Sequence, residues 1–211
     1  MTLPRFLPMF PLGSTVFPQQ VVPLHIFEER YRSMMDDIIE DQDSVGFGIV
    51  LIDRGQEVGG GDQRTSVGTR VEILQAERFD DGRWAVVVAG VERIDVLKWL
   101  PDDPYPQAAV VSRLVVDNGG SDLDGLASEV ATTINLMARV AGVPAPAQQR
   151  FSEDPRPRLD ELSAIAPLSQ FDRQRVLEAT TTNDQISLLR EALQDKQLLL
   201  QAQLGQTGDI G

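Results

Sequence analysis

"TRVEILQAERFDDGRWAVVVAGV", residues 69–91, is the stretch that decides the fold. Its first half alternates apolar and polar residues around Val71 and Ile73, and its second half, from Trp84, is an almost continuous apolar run. Both patterns are typical of β-strands. Asp-Asp-Gly at 80–82 lies between them and is typical of a tight hairpin turn. The stretch therefore predicts two strands joined as a β-hairpin.

Further short strands are predicted on both sides of this hairpin. They are the proline-punctuated segment 5–13 and the apolar runs 46–52, 92–100 and 106–116. Several short strands with little helix between them favour a barrel or a sandwich over alternating strand–helix units. One helix is expected to interrupt them, because apolar residues recur with helical spacing from Phe27 to Ile39.

The segment 54–68, "RGQEVGGGDQRTSVG", is predicted to be a flexible loop because of its glycine content. It lacks the lysine and the following helix of a phosphate-binding loop. Whether its part 59–68 becomes ordered on binding stays open at this stage.

The pattern changes to helices after residue 117. Ser121 followed by Asp124 is a capping signature, and the apolar residues from Leu123 to Ala141 then recur every three or four positions. A proline-rich linker over 144–157 is expected to follow. The sequence thus predicts a β-rich domain over residues 1–117 and a helical subdomain over 118–211.

Three more helices are predicted beyond that linker. The first two cover 158–166 and 169–179, with Ser169 as the cap of the second. The last begins with a capping box of Thr182 and Gln185 and carries a broad leucine face. Its tail, residues 205–211, is expected to be disordered.

Composition narrows the possible functions. With 211 residues and 42% hydrophobic residues, the chain is long enough to bury a substantial core. It has no cysteine, which excludes disulfides and thiolate metal sites and suits a reducing compartment. No apolar run reaches the roughly 18 residues of a membrane span, and the proline-interrupted N-terminus does not resemble a signal peptide. The chain is therefore predicted to be cytoplasmic, without a membrane partner.

The net charge of −13 disfavours nucleic acid as a partner. Proteins bind phosphate backbones through lysine and arginine, which release counterions. Division of the sequence after Asp117 leaves both parts acidic, and no long basic cluster compensates.

The residues offer little for catalysis. His25 is the only histidine and lies among bulky apolar residues, so we expect a structural histidine bonded to backbone, Glu28 or Glu29. Lys98 and Lys196 are the only lysines, and neither follows a glycine-rich loop. The acidic segment 36–43 lacks calcium-loop spacing and is interpreted as a solvated face. We therefore predict no catalytic, cofactor-binding or metal-binding residue, and no enzymatic activity.

Four segments together resemble the N-terminal substrate-binding domain of Lon proteases: 7–35, 47–52, 67–96 and 99–110. The most specific parts are Pro-Leu-His-Ile-Phe-Glu-x-Arg-Tyr at 23–31 and Val-Gly-Thr at 67–69. The helical section 159–193 is also similar to the helical extension that follows this domain in Lon. The similarity is weakest across 118–157.

This resemblance implies an α+β fold, in which a PUA-like β pseudo-barrel is followed by a C-terminal helical bundle. In a full Lon protease an ATPase module and a Ser-Lys peptidase follow, and no position here matches their catalytic residues. A stand-alone Lon-type domain would be a non-enzymatic protein-binding module or adaptor. Its expected partners are unfolded or partially folded polypeptides, a second copy of itself, or a Lon-type protease. RNA binding is the alternative, because PUA-type barrels bind RNA.

The candidate protein-binding residues lie in the segment 16–35, where apolar side chains and adaptable methionines are frequent. They are Phe17, Pro18, Ile26, Phe27, Tyr31, Met34 and Met35. The competing interpretation is that most of them belong to the core of the barrel.

Overall fold

A computed structural model describes residues 3–41, 44, 46–54, 63–119, 122–147 and 149–208. The chain divides into two compact units, Met1–Leu114 and Val115–Gly211. The domain boundary after residue 117 stays a prediction.

The described residues of the first unit form six strands and one helix. The strands are β1 (Arg5–Leu12), β2 (Val21–Ile26), β3 (Phe47–Arg54), β4 (Gln63–Arg78), β5 (Trp84–Trp99) and β6 (Gln107–Ser112), and the helix is α1 (Glu29–Glu40). The strand order is β2-β5-β4-β3-β1-β6, and β6 also pairs with β5. This second pairing closes five strands into a barrel and leaves β2 attached to β5. The predicted α+β class with a PUA-like pseudo-barrel is confirmed.

The predicted hairpin joins β4 to β5. Gly82 has a φ of +81° and donates its N–H to the Phe79 carbonyl at 2.8 Å. The sequence predicted two strands over 83–91 and 92–100, and this was wrong, since β5 runs through both without a break. The register between β4 and β5 shifts twice, between Arg70 and Val71 and again after Ile73. These shifts are β-bulges, which increase the local bend of the pair. A long strand can therefore follow the curvature of the barrel.

The prediction of a loop over 54–68 was also wrong at its C-terminal end. Residues 63–68 form the start of β4, where Gly68 is opposite Val50 on one side and Ile94 on the other. A Cβ at Gly68 would overlap the Ile49 carbonyl oxygen. This glycine therefore permits close strand packing rather than flexibility. Residues 55–62 lie outside the described part of the chain.

The core of the first unit fills the barrel and the space beneath α1. One face of α1 buries Tyr31, Met34, Met35 and Ile38. The Tyr31 ring packs edge-on against Phe10 of β1, with 4.5 Å between the ring centroids. Burial of such side chains stabilises the fold by about 1.5–3 kcal/mol each.

The second unit contains the four predicted helices, α2 (Leu123–Ala141), α3 (Pro155–Ile165), α4 (Gln170–Glu178) and α5 (Thr182–Gly208). α3 begins inside the predicted linker, because Asp154 accepts a hydrogen bond from the Arg156 N–H and starts the helix there. α5 reaches Gly208, so the prediction of disorder was wrong for 205–208. Residues 209–211 lie outside the described part of the chain.

Two helix caps differ from the sequence prediction. Asp122 caps α2 through its Oδ1, which accepts the Gly125 N–H at 2.9 Å, while Ser121 is outside the described residues. Thr181 caps α5 by accepting the Asp184 N–H at 3.1 Å. The hydroxyl of Thr182, predicted to be this cap, instead donates to the Asn118 side-chain oxygen. Neighbouring serines, threonines and aspartates can all cap a helix, so tertiary contacts decide which one does.

Candidate functional site

Six of the seven candidate binding residues are buried: Phe17, Pro18, Ile26, Tyr31, Met34 and Met35. Ile26 is on the inner face of β2, and the two methionines point from α1 into the core. Buried side chains offer a partner no surface in the folded state, so the structure corrects this part of the prediction. Phe27, 53% exposed, is the remaining candidate.

A different set of side chains is exposed on β2. Leu24 and Ile26 are buried, whereas Val21, Pro23 and His25 alternate with them and are exposed. Alternation follows from the two-residue period of a strand. Sequence inspection missed β2 because Pro23 interrupts its apolar pattern, although a proline is compatible with a strand at the edge of a sheet.

The sequence predicted a structural histidine at position 25, bonded to backbone, Glu28 or Glu29, and the described residues show no such hydrogen bond. The exposed His25 ring lies 6.3 Å from the ring centroids of both Phe27 and Phe79, with edge-to-face geometry. The side chain of Glu28 accepts a hydrogen bond from Arg30 Nε at 3.2 Å. Position 25 falls on the outward-facing set of β2, and the prediction failed because the sequence does not show which set faces the core.

We call the exposed residues of this region the outer β2 surface: Val21, Pro23, His25, Phe27 and Phe79. Beside it, a cavity of about 370 Å³ is lined by Pro23, Val87, Gln75 and Glu77 among others. The outer β2 surface therefore consists of aromatic rings and aliphatic side chains, and a shallow, partly polar cavity lies next to it.

A polar network occupies another part of the barrel, and sequence inspection missed it. Glu92 of β5 accepts hydrogen bonds from Arg5 and Arg70 at 2.7 Å each and from the Ser112 hydroxyl at 2.6 Å. Burial of Glu92 opposes its ionisation, but the hydrogen bonds from Ser112, Arg5 and Arg70 outweigh this and lower its pKa to about 2. The charged residues Arg5, Arg70 and Glu92 occupy inward-facing positions of their strands. This irregularity in the alternation of apolar and polar residues could have revealed the network. Four polar side chains joined by hydrogen bonds are typical of a structural element.

A second polar contact fixes α1. The Tyr105 hydroxyl donates to Asp37 at 2.7 Å, and burial together with this carboxylate raises the pKa of Tyr105 to about 12. The tyrosine stays protonated and holds the helix to the segment before β6.

Within the described ranges, no group of three histidine, aspartate or glutamate side chains is arranged to hold a metal ion. In the same residues, no helix is long and apolar enough to cross a bilayer.

The family model of the ATP-dependent protease La (Lon) substrate-binding domain matches residues 6–195. The chain belongs to this family. Relatives of this Lon-type domain include the Lon protease of Anaeromyxobacter dehalogenans, 29% identical over 211 residues, and Lon protease 2 of Myxococcus xanthus, 27% identical over 211 residues. Each alignment covers 94% of this chain and 24% of the relative, so the chain spans about a quarter of their length.

Solved structures share the fold of this Lon-type domain. The Lon N-terminal domain protein from Xanthomonas campestris superposes with a TM-score of 0.60 at 21% identity, covering 88% of this chain and 97% of that one. The N-terminal domain of the Mycobacterium avium complex Lon protease gives 0.57 at 18% identity, covering 90% and 99%.

Proposed function

We propose that this Lon-type domain is a non-enzymatic protein-binding module that captures unfolded or apolar polypeptide segments in the cytoplasm. The observation that carries the proposal is the outer β2 surface, where exposed Phe27, Phe79 and His25 lie together beside aliphatic residues. Contiguous exposed apolar area marks interaction sites. Membership of the Lon substrate-binding family supports the same role.

The chemistry of this surface suits unselective recognition of apolar chains. Phe27 and Phe79 are 53% and 40% exposed, so each has apolar area left to bury against a partner. A flat ring tolerates many neighbours and needs no defined polar partner. Such a module could act alone or as an adaptor that passes its ligand to a Lon-type protease.

A binding titration with an unfolded protein tests the proposal. Reduced and carboxymethylated α-lactalbumin, labelled with fluorescein, is titrated with the domain in the absence of ATP, and anisotropy is recorded. We expect saturable binding. The double variant Phe27→Ser/Phe79→Ser should weaken it about tenfold, because each ring contributes about 0.7 kcal/mol of apolar contact.

Leu97→Ser is the matched control. Leu97 is 57% exposed on β5, but at the end of the strand that pairs with β6. This variant should bind as the unmodified domain does. Absence of binding at every concentration, or equal losses in the control and the double variant, would contradict the proposed function.

A further inference from the structure

β2 is the edge strand of this sheet. In the described part of the chain, β2 pairs with β5 from Val21 opposite Ala89 to Ile26 opposite Trp84, and no second strand pairs with it. Its other side therefore presents backbone groups without a strand partner.

The hydrogen bonds next to β2 show which backbone groups these are. Gly90 donates its N–H to the Gln20 carbonyl at 2.9 Å, beside the pair Val21–Ala89, which makes Val21–Ala89 a non-hydrogen-bonded position of the ladder. Hydrogen-bonded and non-bonded positions alternate along an antiparallel strand. The backbone N–H and carbonyl groups of Val22, Leu24 and Ile26 thus point towards β5. The backbone groups of Val21, Pro23 and His25 point towards the open edge.

Pro23 agrees with this assignment. A proline has no N–H, and the outward position is the one where a donor is not needed by the sheet. The open edge then offers the N–H groups of Val21 and His25 and the carbonyl groups of Val21, Pro23 and His25.

We propose that an extended segment of non-native polypeptide binds by adding to the edge of β2 as a further strand. This inference rests on the proposed function and specifies how the ligand is held. Main-chain hydrogen bonds supply sequence-independent affinity in this mode, and side-chain pockets supply preference. The side chains of Val21, Pro23 and His25 lie on the outer face of the sheet, where alternate residues of the added strand would contact them.

The local chemistry selects the ligand. The exposed rings and Val21 favour apolar residues at alternate positions of the added strand. The net charge of −13 favours a ligand with lysine or arginine at its ends. The ligand is therefore an extended segment that is apolar on one face and carries basic residues.

A second copy of the chain fits this edge less well. In a twofold antiparallel pairing centred on Pro23, two prolines would face each other and both central hydrogen bonds would be missing. A foreign strand loses one hydrogen bond at Pro23, and it avoids the repulsion between two chains of net charge −13.

Paired substitutions at the same position separate the contribution of the backbone to peptide binding from that of the side chain. Val21→Pro removes an outward N–H together with the valine side chain, whereas Val21→Ala removes only side-chain atoms. His25→Pro and His25→Ala form a second pair with the same logic. The probe is a fluorescein-labelled peptide of alternating valine and threonine with lysine at both ends. We expect each proline variant to bind it at least fivefold more weakly than its alanine counterpart.

A chemical change in the peptide tests the same contact without altering the protein. N-methylation of alternate residues blocks one edge of the added strand and leaves its side chains unchanged. We expect one of the two alternating N-methylation patterns to abolish binding, while the other is tolerated. Far-UV circular dichroism and thermal unfolding verify that each proline variant is folded. If a proline variant is unfolded, the N-methylated peptides test strand addition on the unmodified domain instead.

The outcomes are distinguishable. Strand addition would be overturned if each proline variant binds the peptide as its alanine counterpart does and both N-methylated peptides bind equally. The proposed function would remain intact in that case if unfolded α-lactalbumin still binds. If neither the peptide nor the unfolded protein binds, both ideas fail. A dimer in sedimentation velocity that Val21→Pro dissociates would assign the edge to a second copy instead.

Discussion

Neutralisation of Glu92 should destabilise the barrel in a pH-dependent manner. In the folded state, hydrogen bonds from Ser112, Arg5 and Arg70 outweigh the cost of burial and lower its pKa from 4.5 to about 2. A shift of this size corresponds to about 3 kcal/mol, since each pKa unit is worth 1.36 kcal/mol. The side chain is 26% exposed, and screening by water reduces the expected effect of Glu92→Gln to about 2 kcal/mol at pH 7.

The pH dependence has a defined sign. The pKa of Glu92 is lower in the folded than in the unfolded chain, so its charge contributes full stability above about pH 4.5. This contribution decreases as the pH falls towards 2. The difference in the free energy of unfolding between the unmodified domain and Glu92→Gln should therefore be largest at neutral pH and shrink below about pH 4.

Urea unfolding followed by tryptophan fluorescence measures this effect. Trp84 and Trp99 are the only tryptophans, and both are in β5, so the signal reports on the barrel. Glu77→Gln, at an exposed position of β4, is the control and should change the free energy of unfolding by less than about 0.5 kcal/mol. A loss by Glu92→Gln below 0.5 kcal/mol, or one of equal size at pH 7 and pH 3, would refute the structural role of the network.

Three further predictions concern other parts of the molecule. Gly68→Ala should lower the free energy of unfolding of the barrel by about 2 kcal/mol, because a Cβ overlaps the Ile49 carbonyl oxygen; an unchanged urea midpoint would contradict this. Arg173→Met should lower the thermal stability of the helical unit, because the buried guanidinium donates a hydrogen bond to the Ala164 carbonyl at 2.9 Å. Arg139→Met, at an exposed position, should leave the thermal stability unchanged, and thermal unfolding followed by circular dichroism compares the two variants. Filter binding at low salt should show no salt-sensitive retention of single-stranded RNA, because the net charge is −13; tight retention would favour the RNA-binding alternative.

Local patterns in the sequence were sufficient for most elements of the fold. The hairpin at 80–82, the helix after Phe27 and the four C-terminal helices follow from turn residues and helical spacing, which act between neighbours in the chain. The uninterrupted β5 was not predictable from its own residues, because the bulges that bend the pair, one in each strand, depend on the register between β4 and β5. The start of β4 at Gln63 was hidden by Gly68, which resembles a loop residue until its close contact with Ile49 is seen.

The candidate surface was only partly predictable. Within the candidate segment 16–35, Phe27 is exposed, as a binding residue must be. The other six candidates are buried, and His25, expected to be bonded to backbone, Glu28 or Glu29, is exposed. Hydrophobicity predicts equally well a core residue and a binding residue, so composition alone cannot separate them.

The sequence by itself determined the β-rich and helical character of the two parts of the chain, the acidic charge and the absence of thiol chemistry. The tertiary structure decided which face of β2 points outward and which strands meet at Glu92, whose partner Arg5 is 87 residues away. The physical reason is that the period of a strand divides its residues into two faces, whereas only pairing with β5 and closure of the barrel decide which of them is buried.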